Sequence, residues 1–320
     1  MSLKSTVEKI PGYNSLVKPL HYLQAVRAAK KFDYPAKDLR VIAVTGTNGK
    51  TTTSFMIWKM LNTAGHKAGL LTTVGWSEDG ETLHQQMEHM TTERVEVLNE
   101  RMAKAREAGV EFLVLEVTSH ALSQYRTYGV PIEVAVLTNV TPEHLDYHKT
   151  FENYRDAKKA FFYILSKGAF AVTNADDRNG MVMVQNTQAS VKTYSLRSAA
   201  DFKARILEES FEGMNLDVNG REVSVPFIGR FNVSNILAVY AAAVSMGRRP
   251  EDVLVAVSAL QPVNGRFETI RSREGVTAIV DYAHTPDALV NVLSTVNEIL
   301  KRRGSVITVC GAGGNRDKGK

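Results

Sequence analysis

Cysteine is almost missing: Cys310 is the only one in 320 residues, so no internal disulfide can form and a reducing compartment is expected. No apolar stretch approaches the ~20 residues that a membrane-spanning helix needs, which argues against membrane insertion. The first residues lack the basic segment and apolar core of a signal peptide, and Met1-Ser2-Leu3 reads as a cloning remnant. A cytoplasmic location is the expectation. Internal repeats and low-complexity segments are also absent. The formal net charge of +5 comes from scattered basic residues without an aromatic-interleaved patch, so nucleic acid is not an expected partner. A protein that handles polyanionic small molecules needs the same excess.

The chain does have length for about two domains with ample core. Its hydrophobic (44%) and charged (23%) fractions are ordinary for a globular protein. One stretch stands out, "VIAVTGTNGKTTTSF" at residues 41–55. A β-branched apolar run breaks at two glycines, then passes through Lys50 and three threonines into "SFMIWKML". That order predicts a buried strand, a tight loop and a helix start. Backbone N–H groups and a helix N-terminus then point at one spot and hold phosphate. Lys50 would reach the outer phosphates, and the Thr51 hydroxyl would sit on Mg²⁺. The loop departs from G-x-x-x-x-G-K-[ST], because Val44 stands where the first glycine belongs and Gly46 comes two residues late. Glycine, asparagine and threonine also serve any strand-to-helix turn. Strand, Gly49-Lys50-Thr51 and amphipathic helix together favour phosphate.

Residues 1–40 carry few strand signals, and "HYLQAVRAAKKF" predicts a helix closed off by Pro35. From Val41 strands and helices alternate, which predicts a mostly parallel sheet flanked by helices. Buried strands fall at 111–117, 131–140 and within 168–177, with helices in 91–109 and 150–168. Residues 202–227 alternate apolar and polar around Asn219-Gly220, a two-residue hairpin turn, and predict a small antiparallel sheet attached to the main one. "NVSNILAVYAAAVSMG" returns as an apolar helix, and "QPVNGRFE" (261–268) reads as a linker. A strand, a helix and a strand follow: "VTAIVDYA", "PDALVNVLSTVNEILKRRG" and "SVITVCGAGG".

Ligands of open α/β sheets gather at the carboxyl ends of strands. Glu116 ends "FLVLE"; Thr138, Asn139 and His144 follow "EVAVL"; Asn174, Asp176 and Asp177 follow "FAV". Each alone reads as a cap or a surface turn. Three successive strands ending this way beside a phosphate loop read as a site. The segments "TGTNGKTTT", "LEVTSHAL", "LTNVTPEHLDYHKTFENYRDAKKAFF", "NADD", "GRFNVSN", "NGRFE", "DYAHTPDAL" and "GNRDKGK" occur in that order. In sequence and spacing they resemble the Mur ligase family from about residue 41 to residue 320. The "EHLDYH…ENY…AK" block is most similar to the branch that adds the third residue of the peptidoglycan stem peptide.

The resemblance implies an ATP-dependent amide ligase. ATP would convert a carboxylate to an acyl phosphate, which an amine then attacks. It implies a central ATP-binding domain at 41–263, a short N-terminal segment at 1–40 in place of a UDP-binding domain, and the start of a C-terminal Rossmann-like domain at 264–320. By the family pattern Gly46, Thr47, Asn48, Gly49, Lys50, Thr51 and Thr52 cradle phosphate. Thr51 and Glu116 hold one Mg²⁺, and His144 with a carbamylated Lys158 holds a second. From the residues alone, Lys158 and its neighbour Lys159 also fit an ordinary solvated helix face. Only the register "ENYRDAK" selects Lys158. Asn174, Asp176, Asn232 and Asn235 match positions around the nucleotide; Arg266 and Asp281 match residues that close on ATP. Thr91, Thr92, Thr118, Gln124 and Arg126 fall where the family holds the muramyl peptide. Lys50, Lys158 and His144 would be the catalytic residues. The implied partners are a UDP-muramyl peptide and an amino acid, and the implied state is a monomer.

Departures from the pattern bear on the substrate. Relatives carry "RDH" where this chain has Pro142-Glu143-His144; Thr118 replaces a serine; Glu93 stands where proline is common. About 40 residues precede the phosphate loop, fewer than the family's first domain. The family's amino-acid pocket lies beyond the residues present. An incomplete ligase is therefore the expectation: a well-folded central part, a marginal, mobile or partner-supported fragment beyond Gly265, weak Mg·ATP binding and little amide formation. A Mur-type ligase for another carboxylate, lipid-linked or folate-like, and a non-catalytic ATP-binding scaffold remain as alternatives. "DYHKTFENY" argues against folate, and the joint presence of Lys50, Glu116, His144 and Lys158 argues against a scaffold.

Overall fold

The computed structural model describes residues 13–85, 91–301 and 303–311. The chain opens with α1 (Tyr13–Lys31), β1 (Arg40–Thr45), α2 (Lys50–Thr63), β2 (Ala68–Leu71), β3 (Gly75–Ser77) and β4 (His84–Gln85). Next come α3 (Val95–Glu107), β5 (Phe112–Glu116), α4 (Ser119–Ser123), β6 (Ile132–Leu137), α5 (Leu145–His148), α6 (Phe151–Tyr163), β7 (Phe170–Asn174), α7 (Gly180–Val184) and β8 (Ser190–Ser195). The rest is β9 (Phe202–Ser210), β10 (Gly213–Val218), β11 (Arg221–Val225), α8 (Arg230–Ser245), α9 (Pro250–Ser258), β12 (Glu268–Arg271), β13 (Thr277–Val280) and α10 (Pro286–Leu300). No helix among the described residues is long and apolar enough to cross a membrane.

The central strands read as unbroken apolar runs because both faces of a parallel sheet are covered. In β1, Ile42 and Val44 enter the core formed with α2 and α8, while Val41 and Ala43 enter the opposite core with α3 and α6. One 11-stranded sheet runs β11-β10-β9-β8-β7-β6-β1-β5-β2-β3-β4. β1 pairs in parallel with both β5 and β6. From β1 the chain builds outward through β2 and β5 on one side, then through β6, β7 and β8 on the other. The order therefore reverses at β1, the position where ligands of such sheets bind.

The predicted antiparallel sheet is present and continues the main one. Tyr194 and Ser195 of β8 pair in parallel with Phe202 and Lys203, and β9–β10–β11 fold back beyond them. Asn219 has φ 50° and Gly220 φ 80° at the hairpin tip, the left-handed pair that a type I′ turn requires. β2, β3, β4 and β8 had no distinct signal in the sequence. β2 is the four-residue run "AGLL", and an apolar run this short does not separate strand from buried helix.

The predicted strand in "SVITVCGAGG" is not formed among the described residues. Residues 303–311 carry no ladder, and Ile307 and Val309 are 90% and 94% exposed; an extended run without a partner has nowhere to place its N–H and C=O groups except solvent. The end of that segment and "GNRDKGK" lie outside the described residues. β12 and β13 form an antiparallel pair. The adjoining α10 rests on the central part through Ile228, Phe267 and Val296, with Phe231 and Val292 packed against them.

Candidate functional site

The loop between β1 and α2 is shaped by two glycines. Gly46 has φ 148°, and a Cβ there would lie 1.9 Å from Thr138 Oγ1; Gly49 has φ 83°, and a Cβ there would lie 2.5 Å from Asn235 Oδ1. Only glycine fits either position. The loop is laced to the end of β6. Asn48 N donates to Asn139 Oδ1 at 2.9 Å, while Thr138 Oγ1 and Asn139 Nδ2 both donate to the Asn48 carbonyl, at 2.7 and 3.0 Å. Thr47 N donates to the Asn139 carbonyl, and Thr47 Oγ1 lies 2.8 Å from the buried Tyr154 hydroxyl. The cradle is thus held by side chains one and two residues beyond a strand, which no local propensity encodes.

A cavity of about 300 Å³ opens over this loop. Its walls include residues 47–52, Thr73, Thr91, Glu116, Thr118, Glu143 and His144 on the central part, and Arg266, Asp281, Tyr282 and His284 on the far side. The first turns of α2, α8 and α10 all reach it, through Lys50 and Thr51, Phe231 and Asn232, and Asp287 and Ala288. Helix N-termini carry partial positive charge and orphan N–H groups, so the converging ends suit a polyanion. Lys50 Nζ donates to the Thr47 carbonyl at 2.6 Å.

At the end of β5 the Glu116 carboxylate is buried and accepts three groups. Thr51 Oγ1 donates to it at 3.0 Å, and Thr73 donates through both its N–H (3.1 Å) and its hydroxyl (3.0 Å). A carboxylate and a hydroxyl beside a phosphate cradle are hard oxygen donors of the kind that Mg²⁺ takes, along with phosphate oxygens and water. Among the described residues no three His, Cys, Asp or Glu form a metal cluster on their own.

Lys158 lies beneath the loop. It is 1% exposed, its Nζ donates to the Gly46 carbonyl at 2.6 Å, and that nitrogen sits 4.9 Å from the centre of the Tyr154 ring. The solvated-face alternative fails for this residue. Burial, then the nearby positive charge of Lys50, pushes the Lys158 amine well below its ordinary range, against the pull of Glu143 and Glu116. His120 is likewise pushed down to about 3, by burial and then by His144, His148, Arg126 and Lys158; it packs edge-on against His144, ring centres 4.8 Å apart.

Glu143 was legible in the sequence only as a departure from a pattern. It is buried and faces His284 across the cavity, 3.5 Å from Nε2. Burial alone would raise its pKa, but His284, Lys50, His144 and Lys158 outweigh burial and bring it from 4.5 to about 2. A depressed folded-state pKa contributes stability above pH 4.5, lost as pH falls toward 2. Glu143→Gln should therefore cost up to roughly 3 kcal/mol at pH 7. The gap to the parent chain should close near the low end of that window. Urea unfolding across pH measures both; equal stability at pH 7 would show that the cations do not hold this carboxylate.

The other predicted residues divide. Asn232 and Asn235 reach the cavity, held by Asn232 Nδ2 donating to the Ile228 carbonyl and Thr53 Oγ1 donating to Asn235 Oδ1. Arg266 lies over the Tyr282 ring, and Asp281 accepts from the Phe267 and Ala283 N–H groups. Gly46, Lys158, Thr92, Gln124, Arg126 and Asn174 stand behind the lining. Asn174 Nδ2 donates to the Thr138 carbonyl, Gln124 accepts from Arg126, and Arg126 donates to the Thr92 carbonyl. Asp176 is not brought to the cavity; Ser195 Oγ and the Leu196 and Ser198 N–H groups donate to it, the cap-like role that its position also allowed. Thr73, Phe231, Tyr282 and Asp287 line the cavity without having been singled out. Asp287 accepts from Asn48 Nδ2 at 3.1 Å. Thr73 follows the unforeseen β2, so its strand-end position gave no signal.

Phosphate-loop geometry of this kind, set where the strand order of a parallel sheet reverses, marks the P-loop type of α/β protein, and that is the class of this chain. Within it the chain belongs to the Mur ligase family. Residues 44–243 match the Mur ligase middle domain, and residues 265–320 match the Mur ligase, glutamate ligase domain. The chain is 55% identical over 286 residues to a UDP-N-acetylmuramoyl-L-alanyl-D-glutamate--2,6-diaminopimelate ligase of Parabacteroides distasonis, covering 89% of this chain and 58% of that one. A protein of the same name from Cytophaga hutchinsonii is 44% identical over 293 residues, 92% of this chain and 60% of its own. A solved structure of a ligase with that name superposes with TM-score 0.73 at 34% identity, over 95% of this chain and 62% of the other. The chain spans less than two thirds of the curated relatives it matches.

Proposed function

We propose that the chain carries the phosphate- and metal-binding centre of an ATP-dependent amide ligase of peptidoglycan precursor synthesis. It would extend a UDP-N-acetylmuramoyl dipeptide with a diamino acid, 2,6-diaminopimelate or lysine. The observation that carries this reading is Lys158, buried beneath the phosphate loop with its amine driven toward the neutral form. A neutral buried amine can add to CO₂: the nitrogen lone pair forms an N–C bond, one proton leaves, and a carbamate anion results. Names of relatives support the substrate class.

In this reading the donor carboxylate oxygen attacks the γ-phosphorus of ATP and the bond to the β-phosphate oxygen breaks, giving an acyl phosphate and ADP. The amine then forms its bond to the acyl carbon, loses a proton and expels phosphate. Lys50 and the α2 N-terminus hold the β- and γ-phosphates in place. Gly46, Thr47, Asn48, Gly49 and Thr52 shape the cradle, and Asn174, Asn232, Asn235, Arg266 and Asp281 would enclose the rest of the nucleotide. Thr51 and Glu116 would hold one Mg²⁺, and His144 with the Lys158 carbamate a second; metal bound there would neutralise charge on the phosphate oxygens. Thr91 and Thr118, backed by Thr92, Gln124 and Arg126, would face the muramyl peptide. The reading takes the protein as a cytoplasmic monomer.

Phosphate release with a panel of donors and amines tests it. Release should require Mg²⁺ and rise with UDP-muramyl dipeptide plus a diamino acid. Release with a lipid-linked or folate-like donor instead would replace the proposed substrate. Failure to bind Mg·ATP in calorimetry would remove the enzyme reading.

A further inference from the structure

Glu116 is flanked by two turns that reach the cavity. On one side Thr73 grips its carboxylate, in a turn closed by Thr72 donating to the Gly75 carbonyl. On the other side Thr91 lines the cavity, Thr92 Oγ1 donates to the Glu116 carbonyl, and Thr118 N donates to Thr92 Oγ1. The first turn is fixed by the β2–β3 ladder. The second belongs to no ladder, and Arg94, the N-cap of α3 after it, makes no side-chain capping bond. Arg126 donates to the Thr92 and Glu93 carbonyls and holds the backbone of this turn; the Glu93 side chain is held from α3.

We infer that Arg101, on α3 and away from the cavity lining, is a positioning residue that ties the Thr91-Thr92 turn to the β3 strand. Its Nη2 lies 3.1 Å from Glu93 Oε1, and its Nη1 lies 3.4 Å from Glu78 Oε1. The guanidinium sits 3.5 Å above the Trp76 ring, and Trp76 also stacks with His84, the planes 21° apart. Arg101, Glu93 and Glu78 are all largely withdrawn from solvent, at 14%, 10% and 20% side-chain exposure. One planar group thus meets two carboxylates and an aromatic face at once. A lysine, with a single point charge, cannot repeat that. Glu93 directly follows Thr92, so movement of Glu93 shifts Thr92 and, through it, Thr91, which lines the cavity.

The inference rests on the reading of Thr91, Thr92 and Arg126 as the donor side of the site. The test is calorimetry with UDP-muramyl dipeptide and, separately, with a magnesium complex of a non-hydrolysable ATP analogue. Arg101→Lys should weaken donor binding by about tenfold or more while changing analogue affinity by less than about twofold. Glu93→Asp, which keeps the charge, should recover part of the donor affinity lost in Glu93→Gln. If Arg101→Lys melts early, Glu93→Gln supplies the same comparison with little change of shape. Arg126→Met marks the underlying reading and should lose donor binding. Full donor affinity in folded Arg101→Lys and Glu93→Gln, with loss in Arg126→Met, would overturn the positioning role alone. Unchanged donor affinity in all of these, or no donor binding by the parent chain, would overturn the donor-site reading and this inference with it.

Discussion

Lys158→Ala is expected to lower phosphate transfer by ~10²–10³-fold or more, the loss typical when one pre-organised group aimed at developing charge is removed. The expectation comes from burial. A lysine on a solvated helix face would stay protonated and would lose little on truncation. This one is enclosed, bonded to the Gly46 carbonyl and set beside another positive charge. Formate or acetate should restore part of the rate in Lys158→Ala, because a small carboxylate can stand in for the anionic oxygens of a carbamate. Native mass spectrometry of the parent chain in bicarbonate should show the gain of one CO₂, absent from the variant. Near-parental turnover in Lys158→Ala would take Lys158 out of the chemistry. A full loss without chemical rescue and without the mass gain would leave it a buried strut for the phosphate loop.

The phosphate loop was legible because its signals are local: an apolar run, two glycines, and a lysine and threonine at a helix start all lie within residues 41–55. Lys158 was harder. Its sequence neighbourhood, with Lys159 beside it, fits a surface helix equally well, and its burial follows from α6 packing over Gly46, a contact between residues 112 positions apart. Glu143 shows the same limit. Its charge is visible in the sequence, but its ionised state is set by Lys50, Lys158, His144 and His284, residues contributed by four separate segments. Asp176 failed to reach the cavity for a local reason: its carboxylate is used up by the turn at 195–198. Thr73 stayed hidden because β2 is a short run fully buried on both faces, where periodicity carries no information.

Lys50→Ala is expected to weaken Mg·ATP binding by ~100-fold or more, since each charge-assisted hydrogen bond contributes about 1.5–3 kcal/mol and Lys50 would serve both outer phosphates. The fold should survive. Lys50 is only partly buried, whereas Val41, Ile42, Ala43 and Val44 beneath it are fully enclosed, and the loop keeps its bonds to Thr138 and Asn139. The substitution has a second consequence. Lys50 is the charge that, after burial, most depresses the Lys158 amine; without it that amine should hold its proton to higher pH. The variant should therefore need more alkaline conditions to take up CO₂, even with no nucleotide present. Calorimetric titration beside far-UV circular dichroism separates lost affinity from lost structure, and the bicarbonate mass gain measured across pH reports the coupling. Tight nucleotide binding by a folded Lys50→Ala chain would sink the phosphate-loop assignment. An unchanged pH dependence of CO₂ uptake would instead show that burial alone, and not the neighbouring ammonium, keeps Lys158 neutral.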